Sequence, residues 1–234
     1  MSDALHPQLV LDITPSAEPS LDNFVPGANH AALAAVRELA PGRALYLWGP
    51  AGAGRSHLLR AAVAAQPGGL GLSASSPPGD WPEPDASGAL PALVAIDDVH
   101  RLDGPGQARL FALYNQWRAA AATTRASRLL LSGDQAPLQL PLREDLRTRL
   151  GWDLVYRLEL LSDADKRDAL LAQGASRQLP LAPALIDWLL VHRARDMRQL
   201  TAILDALDRY SLATRRPVTL PLLKTMLAET PSSS

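Results

Sequence analysis

Ala44-Leu45-Tyr46-Leu47-Trp48-Gly49-Pro50-Ala51-Gly52-Ala53-Gly54-Arg55-Ser56-His57-Leu58-Leu59 is the stretch on which the fold turns. The apolar run from Ala44 to Trp48 reads as a buried strand, and the residues after Arg55 read as a helix. Between them lies the spacing of a Walker A phosphate loop, Gly49-x-x-x-x-Gly54-x-Ser56, with arginine at position 55 where the pattern has lysine. Glycine suits such a turn because the backbone must wrap a phosphate closely, with N–H groups pointing inward and a helix N-terminus behind them. Gly49, Pro50, Gly52, Ala53, Gly54, Arg55, Ser56 and His57 are therefore the candidate phosphate contacts. Arginine is longer than lysine, planar and permanently charged, so it neutralises phosphate from a different position. The loop predicts nucleotide binding with slow turnover.

The whole chain has 234 residues, 47% hydrophobic and 20% charged, with net charge −1 and no cysteine. That balance is globular rather than disordered, with room for one large or two small domains. No global basic field exists to grip DNA, so contact with DNA is expected only indirectly, through a partner. Disulfides and thiolate metal sites are excluded, in keeping with a reducing compartment. The start lacks a basic segment followed by an apolar one, and no stretch approaches the ~20 apolar residues of a membrane span. The expectation is a cytoplasmic protein with no membrane partner.

Working outward from the loop, Asn29 is placed to cap a helix over His30 to Leu39. Leu70 to Leu72 is a short strand, and the segment Ser75 to Pro91 is a proline-rich loop. Ala92 to Asp98 is an apolar run ending in paired carboxylates, suited to a central strand buried on both faces. A helix follows over Gly106 to Ala121, then strands at Arg128 to Leu131 and Leu154 to Leu158 flanking a charged helix. Strands alternating with helices mean an α/β domain with a largely parallel sheet. After Leu161 only helices remain. Ser162 is a good N-cap with Asp163 and Asp165 in the first turn, and further helices fall at Ala182 to His192, Asp196 to Leu212 and Thr219 to Leu227. The division expected is a flexible N-terminus over 1–19, an α/β base over 20–160, a small all-α domain over 161–229 and a disordered tail over 230–234. Trp48, Trp117, Trp152 and Trp188 are assigned to packing.

Asp97 ends a strand some forty residues after the loop, where a Walker B carboxylate belongs, and with Ser56 would hold Mg²⁺ through water. Asp98 stands where many ATPases keep a glutamate that orients water, one methylene longer. Taken alone, paired aspartates at a strand end are an ordinary turn; in order with the phosphate loop they read as Walker B. The histidines carry no ligand spacing, so no metal besides Mg²⁺ is expected. Phe24 and Val25 at a helix start are consistent with an apolar staple. Gln8-Leu9-Val10-Leu11 reads either as a docking peptide or, with Ile13, as an alternating edge strand. The arginines of the charged helix read by themselves as surface charge, and spacing does not prefer Arg149 over Arg147 for a functional role.

Several of these motifs together resemble the DnaA-like AAA+ family. They are Ser20 to Asn29, Ile96-Asp97-Asp98-Val99-His100, Leu131 to Pro137, Arg149-Leu150-Gly151-Trp152 and Asp196-Met197-Arg198-Gln199-Leu200. The likeness runs from about Ser20 to Leu227. It implies an α/β AAA+ P-loop base with a parallel sheet followed by a small all-α lid, with ADP or ATP and Mg²⁺ bound. It selects Arg149 as an arginine finger, Arg198 as the lid arginine that reaches the phosphates, Asp98 and Asp134 as water and γ-phosphate sensors, and Phe24, Val25 and Asn29 as the adenine contacts. Two departures, the arginine in the loop and an end before any helix-turn-helix module, resemble a regulatory branch of that family. That branch implies negative control of replication initiation: the chain docks through Gln8, Leu9 and Leu11 on the DNA polymerase III sliding clamp, at the nucleoid or replisome, and supplies Arg149 to the ATP site of DnaA. Its own ATPase would be weak or absent, and homo-oligomers are left open. The alternatives are an intrinsic ATPase of helicase-loader type, or a nucleotide-stabilised clamp adaptor.

Overall fold

The computed structural model of the chain describes residues 18–82, 89–192 and 196–229. They divide into two compact units, Glu18–Leu161 and the residues from Ser162 onward.

The first unit is built on five parallel strands: β1 Ala44–Trp48, β2 Leu70–Ser73, β3 Leu93–Asp97, β4 Arg128–Gly133 and β5 Leu154–Arg157. Their order across the sheet is β2-β3-β4-β1-β5. Parallel neighbours need a crossover, and helices α1 (His30–Arg37), α2 (Arg55–Ala65), α3 (Gly104–Ala120) and α4 (Glu144–Leu150) provide the cover on both faces. The strand period of two is visible in β1. Tyr46 joins Val94, Ile96, Leu129 and Leu131 in a core with Leu110, Leu113, Tyr114 and Trp117 of α3 and Leu146 of α4. Leu45 and Leu47 face the other way, into a core with Leu93, Leu130, Leu33 and Val36 of α1, and Leu58 and Leu59 of α2. The edge strands β2 and β5 are only part-buried, as their shorter and more polar-spotted sequences suggest.

Three local expectations need correction. Asn29 does not cap α1: it lies in a 3-10 turn and its side chain makes no cap hydrogen bond. Its amide donates instead to the Glu159 carbonyl at 2.9 Å and accepts from the Glu159 N–H at 2.8 Å, closing the chain as it leaves β5. Helix α3 begins at Gly104 rather than Gly106, because Asp103 accepts from the Gly106 N–H at 2.7 Å and a proline occupies the first turn. Trp152 is 54% exposed, not core. Within the proline-rich segment, Trp81 and Leu90 are buried against the α3 side of the sheet, which anchors its described ends.

Among the described residues the second unit has four helices: α5 Asp163–Ser176, α6 Pro183–His192, α7 Met197–Thr214 and α8 Leu220–Glu229. Ser162 and Asp165 form a reciprocal capping box at the start of α5, and Asp196 caps α7 by accepting from the Arg198 N–H. Leucines at helical spacing, among them Leu170, Leu189, Leu204, Leu207 and Leu223, fill one core with Met226. The buried carboxylate of Asp205 is paired with Arg177, which offsets its desolvation. Among the described residues no helix is long and apolar enough to cross a membrane.

Candidate functional site

The phosphate-type loop runs from the end of β1 to the start of α2, with Pro50, Ala51 and Gly52 exposed at its apex and Ala53 buried beneath. Gly54 ends it at φ +95°, a left-handed conformation that a side chain resists. A Cβ there would also lie 2.6 Å from the Phe24 ring, so glycine is required twice over. Phe24 packs its ring 5.5 Å from the His57 ring, and His57 Nε2 is 2.9 Å from the Ser20 carbonyl oxygen. The segment from Ser20 to Phe24 is thereby fastened to the first turn of α2. Val25 is part-buried beside it, and the buried Asn29, 4% exposed, has its amide on Glu159 as described above.

Helix α2 differs from α3, α5 and α7 in having no side-chain cap: Gly54 offers none, and no acidic residue stands in the first turn. The N–H groups of that turn and the positive end of its dipole face the loop without a competing carboxylate, a ready anion site.

The strand order carries the carboxylates here. Because β4 lies between β1 and β3, the ends of all three strands converge on the loop. Asp97, last in β3, accepts through Oδ1 from the Ser132 hydroxyl and from the Asp98 N–H. Its Oδ2 has no hydrogen bond among the described residues. A carboxylate oxygen of this kind is a hard donor of the type that Mg²⁺ takes. Asp98 is left-handed, at φ +52°. Its backbone N–H also donates to Ser132 at 3.0 Å. The Arg55 guanidinium donates to the Gly49 carbonyl, to the Gly133 carbonyl at 2.7 Å and to Asp98 at 3.2 Å. His100 Nδ1 lies 3.9 Å from Asp98 and 3.7 Å from Asp134. Tyr46 donates to the Gln135 carbonyl, and burial first, then the Asp134 charge, push its phenol well above the ordinary range. Ser132 and His100 were not among the residues singled out in the sequence. The signal for Ser132 is a hydroxyl at the buried end of an otherwise apolar strand.

Arg149 lies on the opposite side of the sheet, with α3. Its guanidinium sits 4.4 Å from the Phe111 ring centroid, 5.2 Å from that of Trp152 and 5.8 Å from that of Tyr114. Nη1 donates to the Asn115 amide oxygen at 2.9 Å, and the Arg149 carbonyl accepts from the Tyr114 hydroxyl at 2.9 Å. Burial pushes that phenol up to about 12, so it stays a donor. Arg149 pairs with no carboxylate among the described residues, and none of these partners belongs to the phosphate-type loop. Arg147, two residues earlier, turns elsewhere and donates to the Leu138 carbonyl at 3.4 Å.

Arg198 stands in the first turn of α7, 59% exposed, with Nη2 3.4 Å from Asp196. Gln8, Leu9 and Leu11 lie outside the described residues. Among the described residues no group of three or more His, Asp or Glu side chains is placed to hold a metal by itself.

Residues 163–227 match the family model described as "Hda, lid domain". In this C-terminal helical unit the chain is Hda-like. Its fold is similar to that of solved DnaA structures. Domain III of the Thermotoga maritima replication initiation protein DnaA superposes with TM-score 0.68 at 19% identity, covering 93% of this chain and 98% of that one. DnaA from Aquifex aeolicus, solved with AMPPCP bound, gives TM-score 0.67 at 21% identity over 88% of this chain and 66% of that one. The Thermotoga maritima RuvB Holliday junction branch migration motor gives 0.63 at 17%, over 90% and 71%. The chain thus has the AAA+ fold, a parallel sheet with flanking helices, followed by a helical unit that matches the Hda lid model.

Proposed function

We propose that this Hda-like chain is a nucleotide-holding negative regulator of replication initiation, which stimulates hydrolysis of ATP bound to DnaA by supplying Arg149 in trans. The observation that carries the reading is the setting of Arg149. Its guanidinium meets no carboxylate among the described residues and is held on an aromatic cradle, on the sheet face away from the chain's own loop. Such a group is set out for an anion on another molecule. Stacking on Phe111 and the bond to Asn115 fix its direction before contact, which lowers the ordering cost at the interface.

In the partner's site, water adds to the γ-phosphorus as the bond to the bridging oxygen breaks and the electron pair leaves on the β-phosphate. Arg149 stabilises the negative charge spread over the transferring group, and a guanidinium so placed is worth ~10³–10⁵ in rate. In the chain's own loop Gly49, Pro50, Gly52, Ala53, Gly54, Ser56 and His57 would hold ADP or ATP, with Phe24 and Val25 beside them and Asp134 facing the terminal phosphate; the DnaA solved with AMPPCP bound supports the choice of an adenine nucleotide. Mg²⁺, held by Ser56 and Asp97, would neutralise phosphate charge there. Gln8, Leu9 and Leu11 would tether the chain to the sliding clamp, raising its concentration near DNA-bound DnaA without a basic surface of its own.

The test is hydrolysis of DnaA-bound ATP in the presence of clamp-loaded DNA. Arg149→Ala is expected to abolish stimulation and Arg149→Lys to restore a small part of it. Normal stimulation by the folded Arg149→Ala chain would overturn the assignment.

A further inference from the structure

Arg55 occupies the position at which a phosphate loop ordinarily directs a cation toward its ligand. Its guanidinium is instead committed inside the protein. Nη1 bonds the carbonyls of Gly49 and Gly133, and Nη2 bonds Asp98. These partners sit at the ends of β1 and β4 and just past the end of β3, the central strands of the sheet. The side chain is only 11% exposed, so these bonds work in a medium where each charge is poorly screened by water.

We propose that the Arg55–Asp98 pair is a built-in lock, in which Arg55 acts as a strut joining the phosphate loop to the strand ends rather than as a ligand of phosphate. The inference rests on the reading of this loop as a nucleotide site and states how that site holds its ligand. Anion recognition then falls to the loop amides and the uncapped N-terminus of α2. The guanidinium closes the carbonyl ends behind them and cancels the charge of Asp98. To reach a phosphate it would have to leave two carbonyls and a carboxylate, partners whose loss leaves part-buried polar groups unpaired. Lysine could not replace it, because a single ammonium lacks the planar fork that spans three acceptors in different directions.

The experiment is a double-mutant cycle on the full chain with Arg55→Met, Asp98→Asn and the double variant. It is read by fluorescent-ADP titration and, separately, by urea unfolding without nucleotide. The lock predicts that Arg55→Met binds ADP within about three-fold of the unaltered chain while losing stability in the absence of nucleotide. Asp98→Asn frees the guanidinium and is expected to bind roughly ten-fold tighter, a gain that disappears in the double variant. Unfolding of the nucleotide-free protein is expected to be non-additive across the cycle. A ten-fold or greater loss of ADP affinity in folded Arg55→Met makes Arg55 a phosphate ligand and overturns the lock. So does a gain from Asp98→Asn that persists without Arg55, which is plain charge removal. So does additive unfolding across the cycle. If no form of the chain binds ADP at millimolar concentration while unfolding stays non-additive, the nucleotide reading fails and the strut stands; if unfolding is additive as well, both fail.

Discussion

Asn29 offers the sharpest test of the reasoning. Its side chain spans from the 3-10 turn before α1 to Glu159, meeting both backbone groups of that residue at 2.9 and 2.8 Å. Only an amide has a donor and an acceptor on one planar group to do this. Asn29→Ala removes both bonds and leaves a backbone N–H and a carbonyl without this partner in a part-buried corner. At about 1–3 kcal/mol for each unsatisfied group, the cost is roughly 2–6 kcal/mol, toward the lower end where water reaches the groups. Asn29→Asp is the more telling change. A carboxylate still accepts from the N–H but faces the carbonyl with a second acceptor, so a loss of about 1–3 kcal/mol is expected at neutral pH. The measurement is urea unfolding of the full chain, combined with hydrogen exchange at the Glu159 amide, because two units need not unfold in one step. Exchange at that amide is expected to speed up about ten-fold or more in both variants. Aspartate is as good an N-cap as asparagine, so a helix-capping role predicts no loss from Asn29→Asp. Unchanged stability and unchanged protection at Glu159 in Asn29→Asp would refute the clasp.

Gly54→Ala forces a Cβ to 2.6 Å from the Phe24 ring at φ +95°. A stability loss of about 1–3 kcal/mol, with weaker ADP binding, is expected from thermal melts and titration. Arg43 hydrogen-bonds Asp153 and holds its carboxyl below the ordinary carboxylate range, helped by the Ala44 N–H. A carboxyl depressed on folding stabilises the protein above its unfolded pKa and loses that contribution as pH falls through the folded value. Acid unfolding curves should therefore show Asp153→Asn less stable at neutral pH, the difference closing below about pH 4. Phe111→Ala removes the ring 4.4 Å from the Arg149 guanidinium. A loss of about 0.5–2 kcal/mol in positioning, or roughly two- to thirty-fold in stimulated hydrolysis of DnaA-bound ATP, is expected from protein shown to be folded.

Much of the local structure was legible in the chain itself. The apolar runs at Ala44 to Trp48 and Leu93 to Ile96 form strands because a parallel strand covered on both faces demands unbroken apolar residues. Ser162 caps α5 as read, since capping depends on a side chain two or three residues from the N–H it accepts, and Asp196, read as the first helical residue, is the cap of α7 for the same reason. Asn29 misled for the same reason: its type fits a local cap, while its true partner lies 130 residues away. Trp152 misled because aromatic character says nothing of which side of a turn faces solvent.

Gly49 to Ser56, by itself, determined that a strand, a tight turn and a helix stand in that order, with the helix N-terminus left open for an anion. Sequence could not say what the arginine in that turn would touch. The strand order decided it, because β4 inserted between β1 and β3 brings Gly133 and Asp98 to within reach of Arg55. It also could not choose between Arg147 and Arg149 without the family likeness; packing of α4 against α3 puts one beside a carbonyl and the other on aromatic rings. Periodicity and capping act over a few residues, so the chain displays them openly. Contacts between residues forty to a hundred apart exist only once the sheet has chosen its order, and burial of both sheet faces makes that choice.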